Sequence, residues 1–230
     1  MRPAVGVATA SRRRTRACPR NFPRRRDAHA PFLNKGFKLQ NSSEKILILA
    51  SNSPRRRELL AEAGVRFEIH AYETDERRLE GETAECLVQR LSCLKARATE
   101  THHPGRVILG ADTVVVLDDR ILGKPKDMDE AKRFLHDLSG RTHVVLTGVT
   151  LIDGHGHADT WLATSHVTFK TLTDKIIDEY FRLTNPLDKA GAYGIQSHGE
   201  MLVERVDGLM SNVIGLPVEE VVQRLEKIEW

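Results

Sequence analysis

Three arginines, Arg55, Arg56 and Arg57, follow directly on Ser51-Asn52-Ser53-Pro54. Ser53 suits a helix N-cap and Pro54 a first helical position, so the arginines fall in a first helical turn. That turn exposes unpaired backbone N–H groups and the positive end of the helix dipole, which makes it an anion site and an unfavourable place for cations. An anion would compensate, phosphate foremost; the alternative is that the charges are solvated and balanced by Glu58 and Glu62. Further cations stand at Lys95 and in Gly123-Lys124-Pro125-Lys126. The second is not a P-loop: no glycine lies five residues before Gly123, and Pro125 occupies the Ser/Thr position that would hold magnesium. Several separate Arg and Lys side chains can still cradle a triphosphate, which carries about four negative charges near neutral pH.

Carboxylates complete this chemistry. Asp112 interrupts a buried-strand pattern and follows Gly110-Ala111, whose small side chains would let a ligand or metal approach the backbone. Asp75-Glu76 lies in a polar segment upstream. Magnesium takes one or two carboxylates together with substrate phosphates and water, so Asp112 with Glu76 would suffice. Equally open at this level are a buried Asp112 satisfied by hydrogen bonds and a solvated Asp75-Glu76-Arg77 turn. Other catalytic templates are missing: Gly-x-Ser-x-Gly, His-Glu-x-x-His and Gly-x-Gly-x-x-Gly do not occur. His102-His103 and His155-x-His157 read as solvated loop residues. Cys86 and Cys93, seven apart, share a helix face for packing.

The elements that must position these groups begin at Lys45. Lys45–Ala50 reads as a buried strand, followed by a helix with Leu59, Leu60 and Ala63 on its apolar stripe and Gly64 at its end. Val65–His70 reads as a strand and residues 83–99 as a helix, with Leu87, Leu91, Leu94 and Ala98 at helical spacing. Val107–Ala111 and Val114–Leu117 flank Asp112 in one strand. Asp127–Leu138, Thr173–Leu183 and Val218–Ile228 read as helices, Thr142–Asp153 and Asp159–Lys170 as a hairpin around Gly154-His155-Gly156, and Ala192–Ile195 and Met201–Val206 as short strands. Alternating helices and strands with a hairpin predict an α/β domain on a mixed sheet.

Composition bounds the partners. The 230 residues carry a net charge of +3, but residues 1–43 hold eleven basic residues against Asp27 alone, a net of +10, which leaves −7 for residues 44–230. The basicity belongs to an N-terminal extension with four prolines and no periodic pattern, expected to be disordered. It lacks the apolar core of a secretory signal; an organellar transit peptide, a polyanion-binding segment and an extension without a role all fit it. No stretch is apolar enough to span a membrane. Three cysteines, Cys18, Cys86 and Cys93, without zinc-ligand spacing argue against a disulfide framework or a zinc site and for a reducing cytoplasm. Residues 44–230 are the expected domain, and no specific nucleic-acid partner is expected of it.

Six ordered motifs between residues 45 and 225 carry a family resemblance. They are Leu-Ala-Ser-Asn-Ser-Pro-Arg-Arg (49–56), Gly-Ala-Asp-Thr-Val-Val (110–115), Gly-Lys-Pro-Lys-Asp (123–127), Leu-Ser-Gly-Arg-Thr-His (138–143), Asp-Lys-Ala-Gly-Ala-Tyr-Gly-Ile-Gln (188–196) and Asn-Val-Ile-Gly-Leu-Pro (212–217). Together they resemble the Maf family of nucleoside triphosphate pyrophosphatases. The resemblance implies an elongated mixed-sheet fold related to inosine triphosphate pyrophosphatases, with a cleft between two lobes. It implies hydrolysis of a nucleoside triphosphate to monophosphate and pyrophosphate with a divalent cation, Mg2+ or Mn2+. By position, Asp112 matches the family's proton acceptor, Arg56, Lys95 and Lys124 its phosphate-handling cations, and Glu76 an acid near the metal. Arg55, Thr113 and Gln196 match positions associated with base choice, and Tyr-Gly-Ile-Gln resembles the dTTP/UTP subgroup. A homodimer is compatible with the resemblance. Ser92-Cys-Leu-Lys95 departs from the pattern, since an acid is more usual before the lysine. Two alternatives stand beside this reading: the same reaction on 7-methyl-GTP, and a non-enzymatic nucleotide-binding regulator of cell division.

Overall fold

The computed structural model describes residues 45–228 and Trp230. The N-terminal extension, and with it the expected boundary at residue 44, lies outside the described residues. The chain runs β1 (Leu47–Leu49), α1 (Pro54–Glu62), β2 (Phe67–Ile69), α2 (Ala84–Glu100), β3 (Ile108–Leu117), β4 (Arg120–Leu122), α3 (Met128–Leu138), β5 (Thr142–Ile152), β6 (Ala158–Phe169), α4 (Asp174–Leu183), β7 (Val203–Asp207), α5 (Met210–Ile214) and α6 (Val218–Leu225). The strands form one mixed sheet in the order β2-β1-β3-β5-β6-β7, with β4 beside β3. Both pairings of β1 are parallel, and the remaining pairs are antiparallel. The hairpin of the expectation is the long β5–β6 pair, registered from Thr142↔Thr168 to Ile152↔Ala158.

Alternation along β3 sorts its side chains onto two faces. Leu109 and Ala111 pack with Leu47, Leu49, Leu59, Leu60 and α6 in one cluster, while Val115 and Leu117 pack with Leu135, Phe169, Ile177 and Tyr180 in another. These clusters are the cores of two lobes on the same face of the sheet. The opposite face is covered by α2, whose Leu87, Val88, Leu91 and Ala96 meet Val114, Leu146 and Ile108. Contact there is unusually close at two glycines. A Cβ at Gly110 would lie 2.3 Å from the Ser92 carbonyl oxygen, and one at Gly148 would lie 2.2 Å from that of Val88. The small residue before Asp112 therefore admits a helix to the strand backbone, where the sequence suggested a ligand.

Three local expectations are corrected. Ala192–Ile195 is no strand, because Gly191 and Ala192 both take left-handed φ values of 67° and 64°, and a 3-10 turn at Ala190–Ala192 replaces it. Ser53 stands at the N-cap without a side-chain cap bond, whereas Thr83, Asp127 and Thr173 do cap their helices. α6 ends at Leu225 rather than Ile228. β4 and α5, three and five residues long, were too short to show a period.

Candidate active site

The site exists because β3 is paired incompletely. On the edge away from β5, β1 pairs only with Ile108 and Leu109, and β4 only with Val115–Leu117. Residues 110–114 are left open between them. Through this gap, side chains from both faces of the strand reach a single cleft of about 830 Å³, lined among others by Ser51, Arg55, Arg56, Glu76, Lys95, Asp112, Thr113, Lys124, Asp188, Tyr193 and Gln196. All eight residues singled out from the sequence thus come together, although they are spread from Arg55 to Gln196.

On the α2 face, Lys95 Nζ donates to Asp112 Oδ1 at 2.6 Å and lies 3.1 Å from Glu76 Oε1. The close packing at Gly110 and Gly148 is what brings Lys95 to this depth. Side-chain exposures of 16% for Lys95 and 13% for Asp112 place the pair at the floor, whereas Glu76, at 54%, reaches it from the rim. Asp112 Oδ2 has no protein hydrogen-bond partner among the described residues, and Asp112 lines the cleft.

On the other face stands Arg56, nearly buried. It donates from Nε to the Gly215 carbonyl (2.9 Å), from Nη1 to the Ala111 carbonyl (2.9 Å) and Ser51 Oγ (3.0 Å), and from Nη2 to Thr113 Oγ1 (3.1 Å). Of its five N–H groups one is left for a ligand. The Ala111 carbonyl lies on the open edge of β3, so Arg56 supplies the hydrogen bond that a neighbouring strand would have made. Burial pulls its pKa below the ordinary guanidinium value, against the attraction of Asp112. Thr113 Oγ1 in turn donates to the Gly215 carbonyl at 3.2 Å and meets Thr147 Oγ1 at 3.0 Å. A cation in the first helical turn is here compensated by protein oxygens.

The remaining groups come from loops. Arg55, 29% exposed at its side chain, reaches across the cleft to Asp188, 3.3 Å to the carboxylate and 3.4 Å to the carbonyl. Lys124 is exposed in the loop between β4 and α3 and forms no ion pair among the described residues. Gln196 is exposed on the turn that Ser197 N closes onto the Gly194 carbonyl at 3.0 Å. That wall is supported from within. Tyr193 hydroxyl meets buried His143 Nε2 at 2.7 Å, and Gly194 N donates to Tyr180 Oη at 2.9 Å. Burial pushes the His143 imidazole down to about 4 and holds the Tyr193 phenol above its ordinary value. Asp188 and Lys189 open the motif that ends at Gln196, but residue type and spacing do not single them out; the tertiary contact with Arg55 does.

The charged residues lining the cleft are five cations, Arg55, Arg56, Lys95, Lys124 and Lys189, and four carboxylates, Glu73, Glu76, Asp112 and Asp188. A net of +1 falls short of a triphosphate's charge of about −4. Asp112 and Glu76, which meet at the Lys95 ammonium, supply the hard oxygen donors that a divalent cation takes, and such a cation would make up much of the shortfall. Among the described residues no group of three or more His, Cys, Asp or Glu could hold a metal alone, so water and substrate phosphate would complete its shell. No helix among the described residues is long and apolar enough to cross a membrane.

The chain is 47% identical over 187 residues to a dTTP/UTP pyrophosphatase of Myxococcus xanthus, a match covering 81% of this chain and 94% of that protein. It is 44% identical over 186 residues to a dTTP/UTP pyrophosphatase of Geobacillus sp., covering 81% and 100% respectively. A HAM1 protein structure from Coxiella burnetii covers 80% of this chain and 99% of its own at 15% identity and a TM-score of 0.49, a loose likeness beside which the sheet itself defines the fold. Residues 46–228, which include the strand gap and every side chain at it, match the Maf-like protein family, and the chain belongs to that family.

Proposed function

We propose that the protein is a nucleoside triphosphate pyrophosphatase that cleaves dTTP and UTP between the α- and β-phosphorus, giving monophosphate and pyrophosphate. The observation that carries this is Asp112, which lines a nucleotide-sized cleft and is fixed at its floor through one oxygen by Lys95, while the other oxygen has no protein partner among the described residues. Two relatives at 44–47% identity, aligned over nearly their whole length, bear that activity in their names. Acting in the cytoplasm is in keeping with the free thiols Cys86 and Cys93.

Each side chain then has a task. Asp112 orients the attacking water and accepts its proton, while Lys95 holds the carboxylate in place. Lys124 meets the phosphate chain, and Arg56 adds its remaining N–H from behind the strand. Asp112 and Glu76 would hold the divalent cation, which when bound neutralises the phosphates and stabilises the leaving pyrophosphate. Gln196 offers both a donor and an acceptor to the O4 and N3–H edge of uracil or thymine, with Arg55 and Thr113 lining the same cleft.

The deciding experiment is an assay with magnesium and a panel of UTP, dTTP, CTP, GTP, ATP and 7-methyl-GTP, measuring monophosphate, pyrophosphate and orthophosphate. Equal amounts of monophosphate and pyrophosphate from UTP and dTTP are expected, with chelation abolishing turnover. Orthophosphate as the initial product would place cleavage at another bond. Preferred turnover of 7-methyl-GTP would reassign the base, and binding without turnover would leave a regulator.

A further inference from the structure

The cleft wall facing α1 carries an acid and a cation to which the chemistry above gives no task. Lys189 is buried, and its Nζ donates at 2.6 Å both to Asp188 Oδ1 and to the Asn185 carbonyl. Its stem lies against Gly194, where a Cβ would come within 2.9 Å of Lys189 Cε. Gly194 opens the turn on which Gln196 stands. The second carboxylate oxygen of Asp188 and its carbonyl hold Arg55. Burial opposes the charge of Asp188, but the hydrogen bonds and charges of Lys189 and Arg55 outweigh it and keep the carboxyl below its usual range. A continuous path therefore runs from Arg55 through Asp188 and Lys189 to the Gln196 turn.

We propose that Asp188 and Lys189 are a positioning pair that couples Arg55 on α1 to the Gln196 turn across the cleft, so that the two are presented to the nucleobase as one unit. This rests on the reading of Arg55 and Gln196 as base-choice residues. The two cations that Asp188 holds differ in a way that suits the task. Lys189 is tightly held, and its ammonium cannot stay buried without the carboxylate. Arg55 is held loosely, at 3.3 to 3.4 Å, so Asp188 biases its direction without fixing it, and Lys189 offsets the acid's charge so that Arg55 still attracts an electron-rich base edge. A pair that merely supported the wall would serve every nucleotide alike; a positioning pair must alter discrimination.

The test measures kcat and KM for UTP, CTP and GTP with magnesium for the full chain and for D188N, D188E, R55A, Q196A and R55A/D188N. For D188N, kcat/KM with UTP should fall roughly three- to tenfold, chiefly through KM, with less than about a twofold change for CTP and GTP. D188E should recover most of the preference, and D188N should add nothing to the UTP/CTP ratio in the R55A background. Equal losses on all three nucleotides, or independent effects of R55A and D188N, would overturn the proposal. If R55A and Q196A abolish the preference but D188N and D188E do not touch it, the pair alone is refuted. If R55A and Q196A leave the preference intact, the base-choice reading fails and the pair with it. Should D188N fold poorly, the ratio in D188E decides the same question.

Discussion

The floor and the far wall of the cleft are built by opposite means. The floor is regular structure: Asp112 on the ten-residue β3 and Lys95 on the seventeen-residue α2, locked where Gly110 and Gly148 leave no side chain between helix and sheet. The wall, residues 184–202, holds only two 3-10 turns, with left-handed residues at Gly191, Ala192 and His198, and depends on single contacts such as Tyr193 with His143 and Gly194 with Tyr180. Proton transfer needs a carboxylate placed to within a fraction of an ångström, which packed regular elements provide. Base choice needs a particular set of donors and acceptors, which a turn can present and vary. On the function proposed above, placement of the reaction is invested in the sheet, and selectivity in a segment that a few bonds hold.

Substitutions can separate the two regions, and the largest effect is expected at the floor. Asp112→Asn should lower kcat by about 10²- to 10⁴-fold, with the melting temperature little changed because Glu76 remains to pair Lys95; retained turnover would remove Asp112 as the base. Arg56→Ala should cost stability rather than only activity, about 3 kcal/mol in denaturant unfolding, because it strands the Ala111 and Gly215 carbonyls in a buried place. A loss below about 1 kcal/mol would mean that water replaces the guanidinium easily.

The wall should give way to acid first. His143 is neutral when folded, with its pKa lowered by burial from 6.5 to about 4. Between those values the unfolded chain binds more protons than the native one, so stability is intact above pH 6.5 and is lost as the pH falls toward 4, by up to about 3 kcal/mol. His143→Gln should flatten that part of the unfolding profile; an unchanged slope would place the acid sensitivity elsewhere. The smallest effect belongs to Lys124→Ala, an exposed cation with no ion pair among the described residues. KM for UTP should rise about two- to fivefold, less at high salt, with no change in melting.

Legibility in the sequence follows the same division. β3 could be read as a buried strand with one misfit acid because period-two burial is written into consecutive residues, and α2 because Leu87 and Leu91 repeat at helical spacing. The apolar Ala192-Tyr193-Gly194-Ile195 read as a strand, yet left-handed φ at Gly191 and Ala192 turns the chain instead, and nothing in a run of small apolar residues specifies that. The loop after β1 and the helix it enters at Pro54 were readable from Ser53-Pro54. That Arg56 would turn inward was not, because the oxygens it bonds belong to residues 55 and 159 positions away.

The sequence by itself determined the chemical inventory and the family: the ordered motifs, the acid in a buried strand, the cations, and a mildly acidic body beneath a basic extension. Only the tertiary structure decided which of these groups meet, and how. It placed Asp112 and Thr113 on opposite faces of one strand yet in one cleft, joined Lys95 to Asp112 and Glu76, and set Asp188 against Arg55. The physical reason is the open edge of β3 between β1 and β4. A gap in strand pairing is a relation among three strands that no single stretch of residues encodes.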